Sequence, residues 1–190
     1  MALTLRQQAP QRQSDSHPGL PRSNVLSRTP VVGLLLLVAV ALLLRVPSWL
    51  AGLPLHHDEA LYGAWARLIA SGRDPLLLTS WVDKPPLVLY LIAGSLAGFG
   101  TAEWALRLPG MAAAVLLVPA TYSLARRAFD ERTGMLAAAL VAFSPFAIAF
   151  APTAFTDGWL TLWLVAAAAA AAGVHPFRAG LCVGLAVASK

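Results

Sequence analysis

Three stretches of the chain hold side chains suited to chemistry rather than packing. The first is Asp58-Glu59, which follows directly on a long apolar run. An acidic pair beside a membrane is costly to desolvate, and it suits base work or metal ligation. Helix capping is the plainer alternative, since Asp is a good N-cap and Glu is favoured in a first turn. The second stretch is Asp83-Lys84-Pro85-Pro86. Two prolines stiffen the backbone and stop a helix from running through. They would hold the Lys84 ammonium at a fixed place, where a lipid phosphate is the obvious anion. The alternative is a lysine beside a turn, salt-bridged to Asp83. The third is Asp157, the only charge between Arg132 and Arg178. It suits the cap of a helix starting near Gly158, yet an isolated carboxylate between two apolar segments is a functional candidate by default. His56-His57 precede Asp58, but adjacent histidines diverge on helix and strand alike. An interfacial or orienting role is therefore favoured over a metal site. No Walker loop, dinucleotide fingerprint or paired CxxC motif occurs, so nucleotide binding has no support.

The elements that must position these residues are membrane helices. Of 190 residues, 58% are hydrophobic and 12% charged, against roughly 25% charged in a soluble domain. Long apolar runs broken by short polar loops indicate a polytopic membrane protein. The formal charge of +5 does not point to nucleic acid. Arg6, Arg12, Arg22 and Arg28 stand before the first apolar run, where positive-inside anchoring accounts for them. Residues 1–30 read as a disordered cytoplasmic tail. Val31 to about Leu50 is the first span, an uncleaved anchor rather than a signal peptide, because the tail is long and no convincing cleavage site follows. Arg45, near its outer end, is expected to snorkel. The lone Cys182 can form no intramolecular disulfide.

Residues 54–106 form the first extracytoplasmic loop. Within it, Asp58 to Ser71 reads as an amphipathic helix closed by Gly72, with residues 58, 62, 65 and 69 on one face. Trp65 and Ile69 suit the membrane interface, and Trp81 an aromatic belt. The run over 87–100 is short and diluted by glycine, so it reads as a juxtamembrane helix. Spans then follow at about 107–125, 134–151, 158–174 and 179–190, with kinks at Pro119 and Ser144-Pro145. This parity puts Arg126, Arg127 and Arg132 inside, and loop 152–157 outside with the first loop. The seven alanines Ala166 to Ala172 suit close helix packing. The expected fold is an all-α, polytopic transmembrane helical bundle of about five spans, with amphipathic juxtamembrane helices in the first extracytoplasmic loop.

With these residues assembled, the chain resembles the N-terminal part of membrane glycosyltransferases of the GT-C fold. Within that group it is similar to the protein O-mannosyltransferase-like enzymes and the bacterial aminoarabinose (lipid A) transferases. His57-Asp58-Glu59-Ala60-Leu61-Tyr62, Trp81-Val82-Asp83-Lys84-Pro85-Pro86-Leu87, Arg107-Leu108-Pro109, Leu124-Ala125-Arg126-Arg127, Thr156-Asp157 and Gly184-Leu185-Ala186-Val187-Ala188-Ser189-Lys190 carry the resemblance in order. It covers residues 31–190. Because the apolar pattern runs to Lys190 without a stop signal, that segment is expected to be the N-terminal part of a longer module.

The resemblance implies transfer of a sugar from a polyprenyl-phosphate carrier to a lipid or protein acceptor at the outer face of a bacterial plasma (inner) membrane. Asp58, Glu59 and Asp157 then match catalytic positions, with Asp58 as base or acceptor-orienting carboxylate. Lys84 matches the lysine that meets the carrier phosphate, and Tyr62 and Asp83 belong to the same substrate-binding set. Relatives with monophosphate carriers commonly need no metal, so no cofactor is expected, a divalent metal being the alternative. A carrier-binding subunit without catalysis, or a transporter, is the rival class. A transporter would place ionisable groups at mid-bilayer in broken helices, and few are found.

Overall fold

The computed structural model describes residues 29–190. The tail over residues 1–28, with Arg6, Arg12, Arg22 and Arg28, lies outside the described residues. The described chain is all-helical: α1 (Thr29–Leu50), α2 (His57–Ala70), α3 (Pro86–Phe99), α4 (Glu103–Ala128), α5 (Glu131–Phe143), α6 (Pro145–Phe150), α7 (Asp157–Ala172) and α8 (Pro176–Ser189). Two of these, α1 and α4, are long and apolar enough to cross a membrane. Only 11% of the apolar window of α1 is buried inside the protein, and Val31, Leu35, Leu36 and Leu43 face outward. The core helix of a soluble domain would be covered by protein, so this surface suits lipid. At 16 and 14 residues, α7 and α8 fall short of that length. Two helices rather than five therefore meet it among the described residues.

Packing has two centres. In the first, the α2–α3 hairpin closes on α4 and α7 through Tyr62, Trp65, Leu89, Ile92, Leu106 and Trp159. In the second, Ala41 of α1 meets Val118 of α4 and Ala138 of α5. Small side chains let the backbones approach closely there. The polyalanine stretch behaves likewise: Ala167, Ala169 and Ala170 are buried, on the helix that packs most extensively against α8 and α4. The expected face of α2 is present, with Tyr62 and Trp65 buried and Asp58 and Ile69 half-buried. It is covered by α3, so Trp65 is a core residue and not an interfacial one. Helical period identifies a face but not what covers it. With 14 residues, α3 is about 21 Å long, short of a hydrocarbon core of about 30 Å.

Two further expectations give way, and one cause joins them. The 134–151 segment is not a single kinked helix. It stops at Phe143, Ser144 is extended, and the Ser144 hydroxyl accepts the Ala147 N–H at 3.3 Å to start α6. Proline removes a donor and crowds the preceding turn, which here ends the helix. That end leaves carbonyls without partners inside the helix. Arg45 supplies the donors. It is fully buried rather than snorkelling, and its Nη1 donates to the Ala41 and Ala142 carbonyls at 2.9 and 3.0 Å. Its Nη2 reaches Val141 at 3.1 Å.

Candidate active site

The start of α2 is built by the neighbours of Asp58. His56 is the N-cap: its Nδ1 accepts the Asp58 N–H at 3.3 Å, while Glu59 accepts the His56 N–H at 2.9 Å. This is a capping box with His in the usual Ser or Thr place. The Asp58 carboxylate is thus not needed for capping. It lines a cavity of about 630 Å³ together with Asp157. Asp157 opens α7, where no side chain caps the helix, and it accepts a hydrogen bond from Lys190 Nζ. Apart from Thr153 and Thr161, the rest of the wall is apolar, including Leu117 of α4 and Phe146 and Phe150 of α6. These two rings stack at 4.4 Å.

Glu59 is placed differently. Its Oε1 accepts Arg107 Nε at 3.1 Å and the Ala154 N–H at 2.9 Å; its Oε2 also accepts Arg107 Nη2, at 3.3 Å. The same Nη2 donates to the Pro54 carbonyl at 3.2 Å. Both side chains of the pair are only 3% exposed. One buried ion pair therefore ties the first loop, the start of α4 and the 152–157 loop together. Burial alone would raise the Glu59 pKa. Hydrogen bonds from Arg107, His56 and Ala154, with the Arg107 charge, outweigh it and hold the carboxyl below the ordinary range. His56 adds a second tie, its ring edge-on to Phe155 at 5.3 Å. Gly110 adds a third, since a methyl group there would overlap the Thr153 carbonyl oxygen. The first loop and the 152–157 loop consequently lie at one end of the bundle. Arg107, expected to anchor a helix end, is instead the partner that makes this possible.

Lys84 pairs with Asp83 at 3.0 Å. The loop that delivers it is folded on Asp74, which accepts the Leu78 and Thr79 N–H groups at 2.8 and 2.9 Å and the Thr79 hydroxyl at 2.5 Å. These hydrogen bonds, chiefly from Thr79, lower the Asp74 pKa. Lys84 stands outside the cavity wall, and it shares the neighbourhood of Tyr62 with Asp58, Asp83 and Asp157. Burial pushes the Tyr62 hydroxyl up; Lys84 pulls against this, and Asp58, Asp83 and Asp157 add to the rise. The Asp83 hydrogen bond, then the proximity of Tyr62 and the Asp83 and Asp58 charges, raise the Lys84 pKa against a smaller opposing effect of desolvation. One tyrosine thus feels every candidate charge except Glu59.

Lys190, Arg107 and Asp74 join the site without having been assigned to it. Asp74-Pro75 followed by Thr79 carries a local turn signal; Glu59 and Arg107, 48 positions apart, carry none. Among the described residues no three His, Cys, Asp or Glu side chains gather for one metal ion.

Residues 83–190 match the family model for dolichyl-phosphate-mannose-protein mannosyltransferase. No curated protein and no solved structure matches the chain. Lys84, Arg107, Asp157 and Lys190 fall inside the matched segment, whereas Asp58, Glu59 and Tyr62 precede it. The Glu59 hydrogen bonds to Arg107 and Ala154 join the two parts. With more than half of its length matched, the chain belongs to the dolichyl-phosphate-mannose-protein mannosyltransferase family.

Proposed function

We propose that the protein is an integral membrane glycosyltransferase, or the N-terminal module of one. It takes a sugar from a polyprenyl-phosphate carrier and passes it to a lipid or protein acceptor on the extracytoplasmic side. The observation that carries this reading is the meeting of Asp58 and Asp157 in one cavity, with Lys84 near enough for the Asp58 charge to act on it. The acceptor hydroxyl gives its proton to Asp58 as its oxygen bonds to the anomeric carbon. The bond from that carbon to the phosphate oxygen breaks, and polyprenyl phosphate leaves with the electron pair. The Lys84 ammonium stabilises the negative charge gathering on it. Asp157 completes the acidic side of the cavity, and Glu59 acts as a positioning residue behind it.

Lys84→Ala is expected to raise the KM for the carrier-linked sugar by about tenfold or more, the worth of a charge-assisted hydrogen bond. A donor-concentration series on the reconstituted protein measures this, and an unchanged KM would remove the phosphate role.

The proposed orientation has five crossings, with the tail inside. The α4–α5 turn, carrying Arg126, Arg127 and Arg132, then faces the cytosol. Phe129 in that turn is 76% exposed, so Phe129→Cys in a Cys182→Ser background is a clean reporter. It should resist an impermeant thiol reagent in intact cells and react once they are permeabilised. Labelling of intact cells would reverse the orientation.

A further inference from the structure

A second cavity, of about 330 Å³, lies at the far end of α2 from Asp58. Arg67 and Arg73 both line it, with the hydroxyl-bearing Ser71 and Thr101 and an apolar flank of Leu96 and Ala97 from α3. The chain reversal that joins the arginines is specific. Gly72 takes φ +69, its N–H donates to Ile69, and the Asp74 N–H returns to the Leu68 carbonyl. Both arginines are exposed. The ion pairs among the described residues are Lys84–Asp83, Arg107–Glu59 and Lys190–Asp157, so neither arginine has an acidic partner among them. The adjacent Asp74 cannot serve, because it is buried and its carboxylate is held by Leu78 and Thr79.

Helix polarity accounts for Arg67, which lies in the last turn of α2 and complements the negative end. It does not account for Arg73, beyond the helix. Nor does membrane insertion account for the pair, since arginine is disfavoured in short loops on the extracytoplasmic side. Two guanidinium forks beside hydroxyl groups are suited to phosphate oxygens. The apolar flank adds what a free anion would not use, a surface for glycerol and acyl carbons.

We infer that this cleft seats the headgroup phosphate of an anionic phospholipid, apart from the carrier phosphate at Lys84, and so moors the α2–α3 hairpin to the leaflet. The choice of the outer leaflet, and the exclusion of positive-inside anchoring as the reason for the pair, rest on the orientation proposed above; the pairing of two guanidinium groups with hydroxyls and an apolar flank does not.

The test uses the full chain in phosphatidylcholine nanodiscs with spin-labelled phosphatidylglycerol or phosphatidylcholine as probe. The wild type is expected to favour the anionic probe by about fivefold or more, on the order of one arginine's attraction to an anionic headgroup. Arg67→Gln/Arg73→Gln should bring the ratio near one, and Arg67→Lys/Arg73→Lys should retain part of it. No preference in the wild type, or an undiminished one in the Gln variant, would overturn the inference. Displacement of the probe by millimolar inorganic phosphate as readily as by unlabelled phosphatidylglycerol would reassign the cleft to a free anion and also overturn it. Asp58→Asn should leave the lipid preference intact, and reversed labelling at position 129 would change the leaflet but not the measured preference. Failure here is thereby separable from failure of the proposed reaction or orientation.

Discussion

Asp58→Asn is expected to slow sugar transfer by about a hundredfold to ten-thousandfold, the range lost with a general base. The change removes a proton acceptor while keeping the shape of the side chain. Structural damage should be small, because the start of α2 depends on other groups. His56 caps the helix through the Asp58 N–H, which any residue retains, and Glu59 closes the box. The carboxylate itself points to the cavity that it shares with Asp157. Single-turnover rates with a polyprenyl-phosphate sugar, measured beside the circular dichroism of the same sample, separate chemistry from folding. A variant with normal helix content and a normal rate would reject Asp58 as the base.

Glu59→Gln should be disruptive for a different reason. It leaves the Arg107 guanidinium, 3% exposed, without a counter-charge. Breaking a buried pair from one side typically costs about 3–5 kcal/mol. Transfer should fall too, although Glu59 does not line the cavity, because the carboxylate that anchors the Ala154 and His56 N–H groups is gone. Glu59→Leu/Arg107→Met removes both charges. It should recover much of the stability, since a well-packed apolar pair can replace a buried ionic one, but not the activity. Thermal unfolding in detergent measures the first effect and transfer assays the second. Recovery of both would show that the pair has no positioning role.

The same pair predicts the acid limb of stability. Glu59 has a lower carboxyl pKa folded than unfolded. Its contribution is fully present above the unfolded value, about 4.3 for glutamate, and is lost as pH falls through the folded one. The wild type should therefore lose unfolding temperature in acid more steeply than Glu59→Gln.

Much of this was open to inspection in the residue order. The apolar run of α1, the buried face of α2 and the shortness of α3 follow from hydropathy and period, which are local properties. That Asp58 and Asp157 share a side followed from where the arginines lie. What could not be read is what one segment does to another across the fold. Nothing near Arg45 announces that it satisfies the carbonyls of a helix end 96 and 97 residues away, and nothing near Trp65 announces that α3 will cover it. Ser144-Pro145 did carry a local signal: a serine before a proline is a good N-cap for a new helix. The dipeptide ends one helix and opens the next, which is more than a kink.

Gly110 has a consequence for how new specificity could arise. Where it meets Thr153, main chain rests on main chain, so no choice of rotamer can widen the gap between α4 and the loop that leads to Asp157. Adapting such an enzyme to a bulkier partner would have to proceed by reshaping the phenylalanine-rich side formed by Phe146 and Phe150, whose rings can be trimmed one at a time.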